Sequence, residues 1–379
     1  MSPEENTIVE VWNSLSQEFV EKDDLDASVL SRAAIEAMLE IQRDAPGKLD
    51  PDVLSQAAIE AMLDSLGDPY TSFLDPHEYE LYAEDSQGKF EGIGAHVNVV
   101  DARITIVEPL PDTPAERAGI RAGDVVLEVD GVSTEGWSLI ESIIKIRGPK
   151  GTSVRLLVQH QDAQEPVLIE IVRSVIQLDS IRWEMLPGAI AYVEISTFAD
   201  NTDEVLADVL REIEKQHAQG LVLDVRNNLG GFLSTTVNIA SQFLKDGLVL
   251  YSTDGDGNKT DYKVKPGGLA LDIPLVVLVN QFSASASEVL SGALQDHERA
   301  VLVGTTTFGK GSVNLPKRLS NGSGLYFTVA RWYSPNGRLI EGEGLEPDIR
   351  VEAGSTGDED PQLERALEYL GAQVAATSR

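Results

Sequence analysis

Apolar positions along this chain repeat with two different periods. Near the N-terminus the period is helical: residues 8–20 carry apolar side chains three and four apart, the stripe of an amphipathic helix. A duplication follows, residues 25–39 and then 49–63, offset by twenty-four positions. Two copies are fewer than the about three repeats a solenoid needs, so a local duplication is expected. Each copy has an apolar stripe that must be covered, either by the core or by a second copy of the chain.

Further on, short continuous apolar runs replace the stripe. Residues 189–195, 220–226, 274–280 and 300–304 are each too short for a helix and lack alternation, the pattern of strands buried on both faces. Between them lie helical patterns at 201–216, 232–244 and 286–295. Alternation of this kind predicts strand–helix–strand units with parallel strands. A late strand is expected at 325–331 and a terminal helix at 361–375, after an acidic, loop-like stretch at 353–360.

Composition narrows the class. A length of 379 residues predicts two or three domains, and the absence of cysteine removes disulfides, thiolate nucleophiles and Cys-ligated metals. A net charge of −32 argues against nucleic acid and against an anionic membrane surface. The acidic residues are dispersed, as on a solvated surface. No apolar run is long enough to span a bilayer, and the acidic N-terminus lacks the basic and apolar regions of a signal peptide.

The candidate chemistry follows the strands. Parallel strands joined by a crossover end at one edge of the sheet, where open α/β sheets build their sites. Ser283, Ser285 and Ser287 follow the 274–280 run at a predicted helix start. Lys310, between Gly309 and Gly311, follows the 300–304 run. A serine needs a base, and a lysine can serve only when burial keeps it neutral. Gly230 and Gly231 follow the 220–226 run and could turn bare N–H groups towards a reacting carbonyl, as an oxyanion hole requires. No nucleotide-binding glycine pattern accompanies that loop. Of five histidines, His297 alone is near in sequence. A Ser285/His297 hydrolase is the rival reading, but the intervening helix separates the pair by roughly 18 Å.

With these residues in place, the chain resembles the C-terminal processing peptidases, or tail-specific proteases, serine proteases with a Ser/Lys dyad. The resemblance rests on Ser-Ala-Ser-Ala-Ser-Glu-x-x-x-Gly-Ala-Leu-Gln-Asp (283–296), Thr-Phe-Gly-Lys-Gly (307–311), Asp-Val-Arg-Asn-Asn-x-Gly-Gly (224–231) and Tyr-Ser-Pro-Asn-Gly-Arg…Gly-x-Gly-Leu-x-Pro-Asp (333–348), in order. It implies the middle serine, Ser285, as nucleophile and Lys310 as base, with oxyanion donors at the N–H groups of Gly231 and Ala286. It aligns Glu288 and Asp296 with acidic positions that support the site. It implies no cofactor and no metal. Two departures stand out: Asn314 where the family orients the amine with a glutamine, and Leu229 where it has proline before the glycine pair.

The resemblance also divides the chain. Residues 1–88 become a helical region ending in a turn-rich connector at 67–77, and 89–175 a β-rich PDZ-like domain. Residues 176–379 become a crotonase-like α/β protease core with its tail, making an α/β multidomain protein. In the PDZ-like part, Gly92, Ile93, Gly94 and Ala95 fall on the turn and strand that receive a peptide C-terminus by strand addition. The run 113–124, the strand and turn at 125–131, the groove helix at 137–147 and a closing strand from 154 complete it. Arg147 is a candidate contact between the domains. The implied partners are protein or peptide C-termini, a second copy of the chain through terminal helices, and a regulatory protein. The family suggests an extracytoplasmic setting with an export segment missing, and a cytoplasmic one stays open. The alternative to a protease is a PDZ scaffold on an impaired protease fold.

Overall fold

The structure is a computed structural model that describes residues 3–44, 50–84, 89–100, 102–161, 163–177, 179–354 and 360–377. Most of the expected acidic stretch, residues 355–359, lies outside the described residues.

The C-terminal half is built on a six-stranded sheet. Its order is Ile181–Leu186, Ile190–Ile195, Gly220–Asp224, Leu275–Val279, Val301–Gly304 and Ile349–Arg350. The first pair is antiparallel and every later pair parallel. The continuous apolar runs are buried on both faces, as period-two geometry demands. Leu221, Leu223, Val277 and Val279 point to one core with helices Thr202–Lys215, Leu233–Phe243 and Ala286–Asp296. Val222, Val276 and Leu278 point to the other, closed by Ala366 and Leu370 of the terminal helix Pro361–Thr377.

A second, five-stranded sheet flanks this core. The long strand Gly324–Tyr333 pairs with Ser312–Arg318, Leu248–Asp254 and, from the connector, Ser72–Leu74. The connector therefore enters the C-terminal half as a strand, with Ser72 opposite Tyr326.

The PDZ-like sheet runs Ala95–Val100, Arg103–Pro109, Val125–Val129, Ser153–Gln159 and Val167–Val172. Its closing strand is thus Val167–Val172 rather than the one from 154. That edge strand leaves Val167, Leu168 and Val172 exposed, so no buried stripe marked it in the sequence. The groove helix is Leu139–Ile146, capped by the Ser138 hydroxyl on the Glu141 N–H at 3.2 Å.

The duplicated segments form helices Ala27–Asp44 and Pro51–Asp64, and they are not buried alike. Ile59 and Leu63 are in the core with Leu325 and Phe327, whereas the equivalent Ile35 and Leu39 are about half exposed.

Glu141, on the groove helix, faces Glu60 and Glu78 of the N-terminal region, with Lys145 as its cationic neighbour. Burial, more than the two carboxylates, pushes its pKa up to about 7. A carboxyl raised in the folded state binds protons that the unfolded chain has released, so its contribution to stability falls as pH rises from the ordinary carboxylate range through 7. Glu141→Gln is expected to melt progressively higher than wild type as pH goes from 5 to 8, a trend that thermal melts at several pH values would check.

Candidate active site

The three loops that carry the candidate chemistry all leave the C-terminal ends of adjacent parallel strands, Gly220–Asp224, Leu275–Val279 and Val301–Gly304. Topology alone brings them to one edge. Side-chain hydrogen bonds then lock them together. Asn228 is fully buried, donates to Ile195 O at 2.7 Å and accepts from Gly230 N at 2.8 Å. Its carbonyl takes the Ala284 N–H at 3.0 Å and the Ser287 hydroxyl at 2.8 Å. Ser283 Oγ donates to Val225 O at 2.8 Å.

These contacts separate the three serines. Ser283 and Ser287 are fully buried and tied to backbone carbonyls. Ser285 lines a cavity of about 610 Å³. It is the N-cap of the helix Ala286–Asp296, with φ 53° and ψ −113°. A positive φ at a non-glycine residue costs on the order of 1–3 kcal/mol and persists only where the surroundings enforce it.

What enforces it is Glu288, one turn into the helix and fully buried. Its Oε2 accepts from Ser285 N at 2.9 Å and from Lys310 N at 2.9 Å. Its Oε1 accepts from Gly309 N at 2.7 Å and from the Thr307 hydroxyl at 2.6 Å. One carboxylate therefore holds the backbones of both candidate reactive residues. Burial holds its pKa above the ordinary carboxylate value, although the hydrogen bonds from Thr307, Gly309, Lys310 and Ser285 pull the other way.

The glycine pair is sterically required. Gly230 has φ 109°, and a Cβ there would lie 2.9 Å from Ser285 Cβ and 3.0 Å from Ala286 N. Gly231 has φ 147°, and a Cβ there would lie 2.4 Å from Phe198 O. Among the described residues, neither the Gly231 N–H nor the Ala286 N–H carries a hydrogen bond, so both are free for an acceptor. At Leu229, where the resemblance led us to expect proline, the Asn228 side chain fixes the loop from within.

Lys310 lines the same cavity. Burial pushes its amine below the ordinary lysine value, while Glu341, Asp68 and Glu288 pull it the other way. Among the described residues no hydrogen bond joins the amine to Ser285. Nζ rests instead over the Tyr70 ring, 4.6 Å from its centroid. Asn314 lies in the cavity wall but its amide is engaged elsewhere. It donates to Tyr70 O at 3.2 Å and Thr328 Oγ1 at 2.9 Å, and accepts from Ser312 Oγ at 3.1 Å. The side chain expected to orient the amine directly touches Tyr70 instead, being one methylene shorter than glutamine.

Other expected residues sit apart. Asp296, at the far end of the helix, is paired with Arg338 and accepts from Asn336 N at 2.8 Å. His297 follows it and bonds Leu248 O through Nε2 at 2.7 Å. Neither lines the cavity.

The PDZ-like turn does. Ile93, Gly94 and Ala95 line the cavity with Ser285 and Lys310, as do Ile143, Ile146 and Arg147 from the groove helix. Gly92 ends the strand Lys89–Gly92 just before this turn. Gly94 has φ 79°, and its carbonyl takes Leu110 N and Thr113 Oγ1, both at 2.9 Å. Among the described residues the Ile93 and Gly94 N–H groups carry no hydrogen bond. Asn227 Nδ2 donates to Glu108 Oε2 at 2.8 Å, tying the glycine loop to the PDZ-like sheet.

Comparison with known proteins gives these elements a class. Residues 189–351 match the model of peptidase family S41, and residues 105–160 match a PDZ domain. A carboxyl-terminal-processing protease of Synechocystis sp. is 37% identical over 323 residues, covering 82% of this chain and 75% of that one. The carboxy-terminal processing protease CtpB of Bacillus subtilis is 35% identical over 348 residues, 91% of this chain and 67% of that one. The solved photosystem II D1 C-terminal processing protease superposes with a TM-score of 0.76 at 30% identity, over 93% of this chain and 94% of that one. The chain is thus a serine-type peptidase with a PDZ domain. It belongs to the carboxyl-terminal processing proteases of family S41.

Removing the Glu288 carboxylate orphans its four donors. Glu288→Ala is expected to lose roughly 3 kcal/mol or more of stability, since each unsatisfied buried group costs about 1–3 kcal/mol. Chemical denaturation would measure it, and unchanged stability would contradict the clamp.

Proposed function

We propose that this chain cleaves proteins whose C-terminal tails dock in its PDZ groove, using Ser285 as nucleophile and Lys310 as base. The observation that carries the reading is the shared cavity. The Ile93–Gly94 turn, the groove helix, Ser285, Lys310 and Gly231 all line one space of about 610 Å³. A tail captured by the free N–H groups of the turn, and paired along the strand Ala95–Val100, leads straight into the reactive centre.

The chemistry follows from the groups present. Neutral Lys310 takes the Ser285 hydroxyl proton as the serine oxygen bonds to the scissile carbonyl carbon. The negative charge moves onto the carbonyl oxygen, towards the Gly231 and Ala286 N–H groups. Collapse breaks the C–N bond, and the lysine ammonium gives its proton to the departing amine. Water then loses a proton to Lys310 and attacks the ester. A second collapse frees the new C-terminus, and the proton returns to Ser285. To begin, the amine must come within hydrogen-bond reach of Ser285 Oγ. Such bonds commonly tighten only with substrate bound.

The test is cleavage of an unstructured protein ending in an apolar tail. Ser285→Ala and Lys310→Ala should each lose at least about a thousandfold in kcat. Because burial lowers the Lys310 pKa, its base form is populated below the ordinary lysine range. Wild-type activity should therefore be lost as pH falls through that lowered pKa and rise towards alkaline pH. Full activity in Lys310→Ala would overturn the base assignment. Tail binding without cleavage would favour a scaffold.

A further inference from the structure

We propose that Tyr70 is the positioning residue for Lys310: its ring face holds the amine and stabilises the ammonium that forms when the lysine takes the serine proton. The proposal rests on the Ser285/Lys310 reading above and extends it to a residue from a different part of the chain.

The geometry points to Tyr70 rather than Asn314. Lys310 Nζ lies 4.6 Å from the ring centroid, within the range of a cation–π contact. Asn314 makes its hydrogen bonds to the Tyr70 carbonyl, to Thr328 and to Ser312. Its link towards the lysine is the hydrogen bond to the Tyr70 carbonyl.

Tyr70 is held at both ends of its own peptide unit. Its N–H donates to Asp68 Oδ1 at 3.0 Å, and its carbonyl accepts from Asn314 Nδ2 at 3.2 Å. Asp68 Oδ2 in turn accepts from Thr71 Oγ1 at 2.8 Å and Thr328 Oγ1 at 2.6 Å. Two residues on, Ser72 begins the strand that pairs with Gly324–Tyr333. A backbone held this firmly limits where the ring can lie and so where the amine on its face sits. The ring stays neutral, because burial and the nearby Glu341 push the phenol pKa up. Its face therefore presents an unperturbed quadrupole to the amine.

The contact has a chemical consequence. An aromatic face attracts the ammonium more than the neutral amine. It therefore helps the lysine accept a proton at the moment the serine must lose one.

A graded aromatic series separates this role from mere support. Position 70 is substituted with phenylalanine and then with mono-, di- and trifluorophenylalanine, which keep the shape while weakening the face. Leucine is the variant without a face. Tail-protein cleavage is followed as kcat and KM across pH, with Lys310→Ala alongside. Each fluorine should lower the midpoint of the alkaline-rising limb, by about 0.5–1.5 pH units across the series. kcat should fall by about tenfold for leucine, with KM little changed. A midpoint constant across the series, with Lys310→Ala inert, overturns the role of Tyr70 and leaves the dyad standing. A fully active Lys310→Ala with the same rising limb overturns the dyad, and the role of Tyr70 falls with it.

Discussion

A single buried carboxylate organises this site. Glu288 accepts the backbone N–H of Ser285 on one side and those of Gly309 and Lys310 on the other, with the Thr307 hydroxyl completing its shell. Four donors converge on one acidic side chain, so the ionised form is the one that satisfies every partner. The carboxylate also makes the strained Ser285 backbone tolerable, because it binds the N–H of the residue that carries the strain. Ser285 and Lys310, the proposed nucleophile and base, come from loops twenty-five residues apart, and the shared acceptor ties their backbones together.

Around that unit, the sheet loops and the PDZ domain meet in one space, and the connector touches Lys310 beside it. The sheet supplies the loops, the PDZ domain supplies a turn with open N–H groups, and the N-terminal connector supplies Tyr70. The connector touches the groove as well. Ser72 Oγ donates to Ser138 Oγ at 2.7 Å, and Ser138 caps the groove helix. The helix that lines the cavity and the ring that contacts Lys310 are therefore anchored on the same short segment. Glu108 and Asn227 make the matching connection on the opposite side, between the PDZ sheet and the glycine loop.

Much of this was legible in the sequence, for physical reasons. Continuous apolar runs mark parallel strands buried on both faces, and the crossover rule then places Ser285, Lys310 and Gly231 at one edge without any contact being known. Spacing could not choose among Ser283, Ser285 and Ser287. That choice depends on two hydroxyls being tied to the carbonyls of Val225 and Asn228, which are distant in sequence. The place of Asn314 was equally hidden, since its amide reaches a carbonyl 244 residues away. Tyr70 lay in a stretch read only as a connector; Asp-Pro-Tyr-Thr signals a turn, and nothing local says that the turn abuts a lysine. The duplicated N-terminal helices show the same limit. Near-identical sequences bury Ile59 and leave Ile35 about half exposed, although Leu30 and Ala34 of the first copy join the same core as Leu325 and Phe327.

The central claim is that Lys310 activates Ser285 from a lowered pKa. The most direct measurement is the rate at which a fluorophosphonate labels Ser285, followed by mass spectrometry across pH in wild type and in Lys310→Ala. The account predicts labelling at Ser285 alone, faster with rising pH through a midpoint below the ordinary lysine range. In Lys310→Ala the labelling should be slow and lack that midpoint. Labelling of another serine, or the same pH dependence without Lys310, would contradict it.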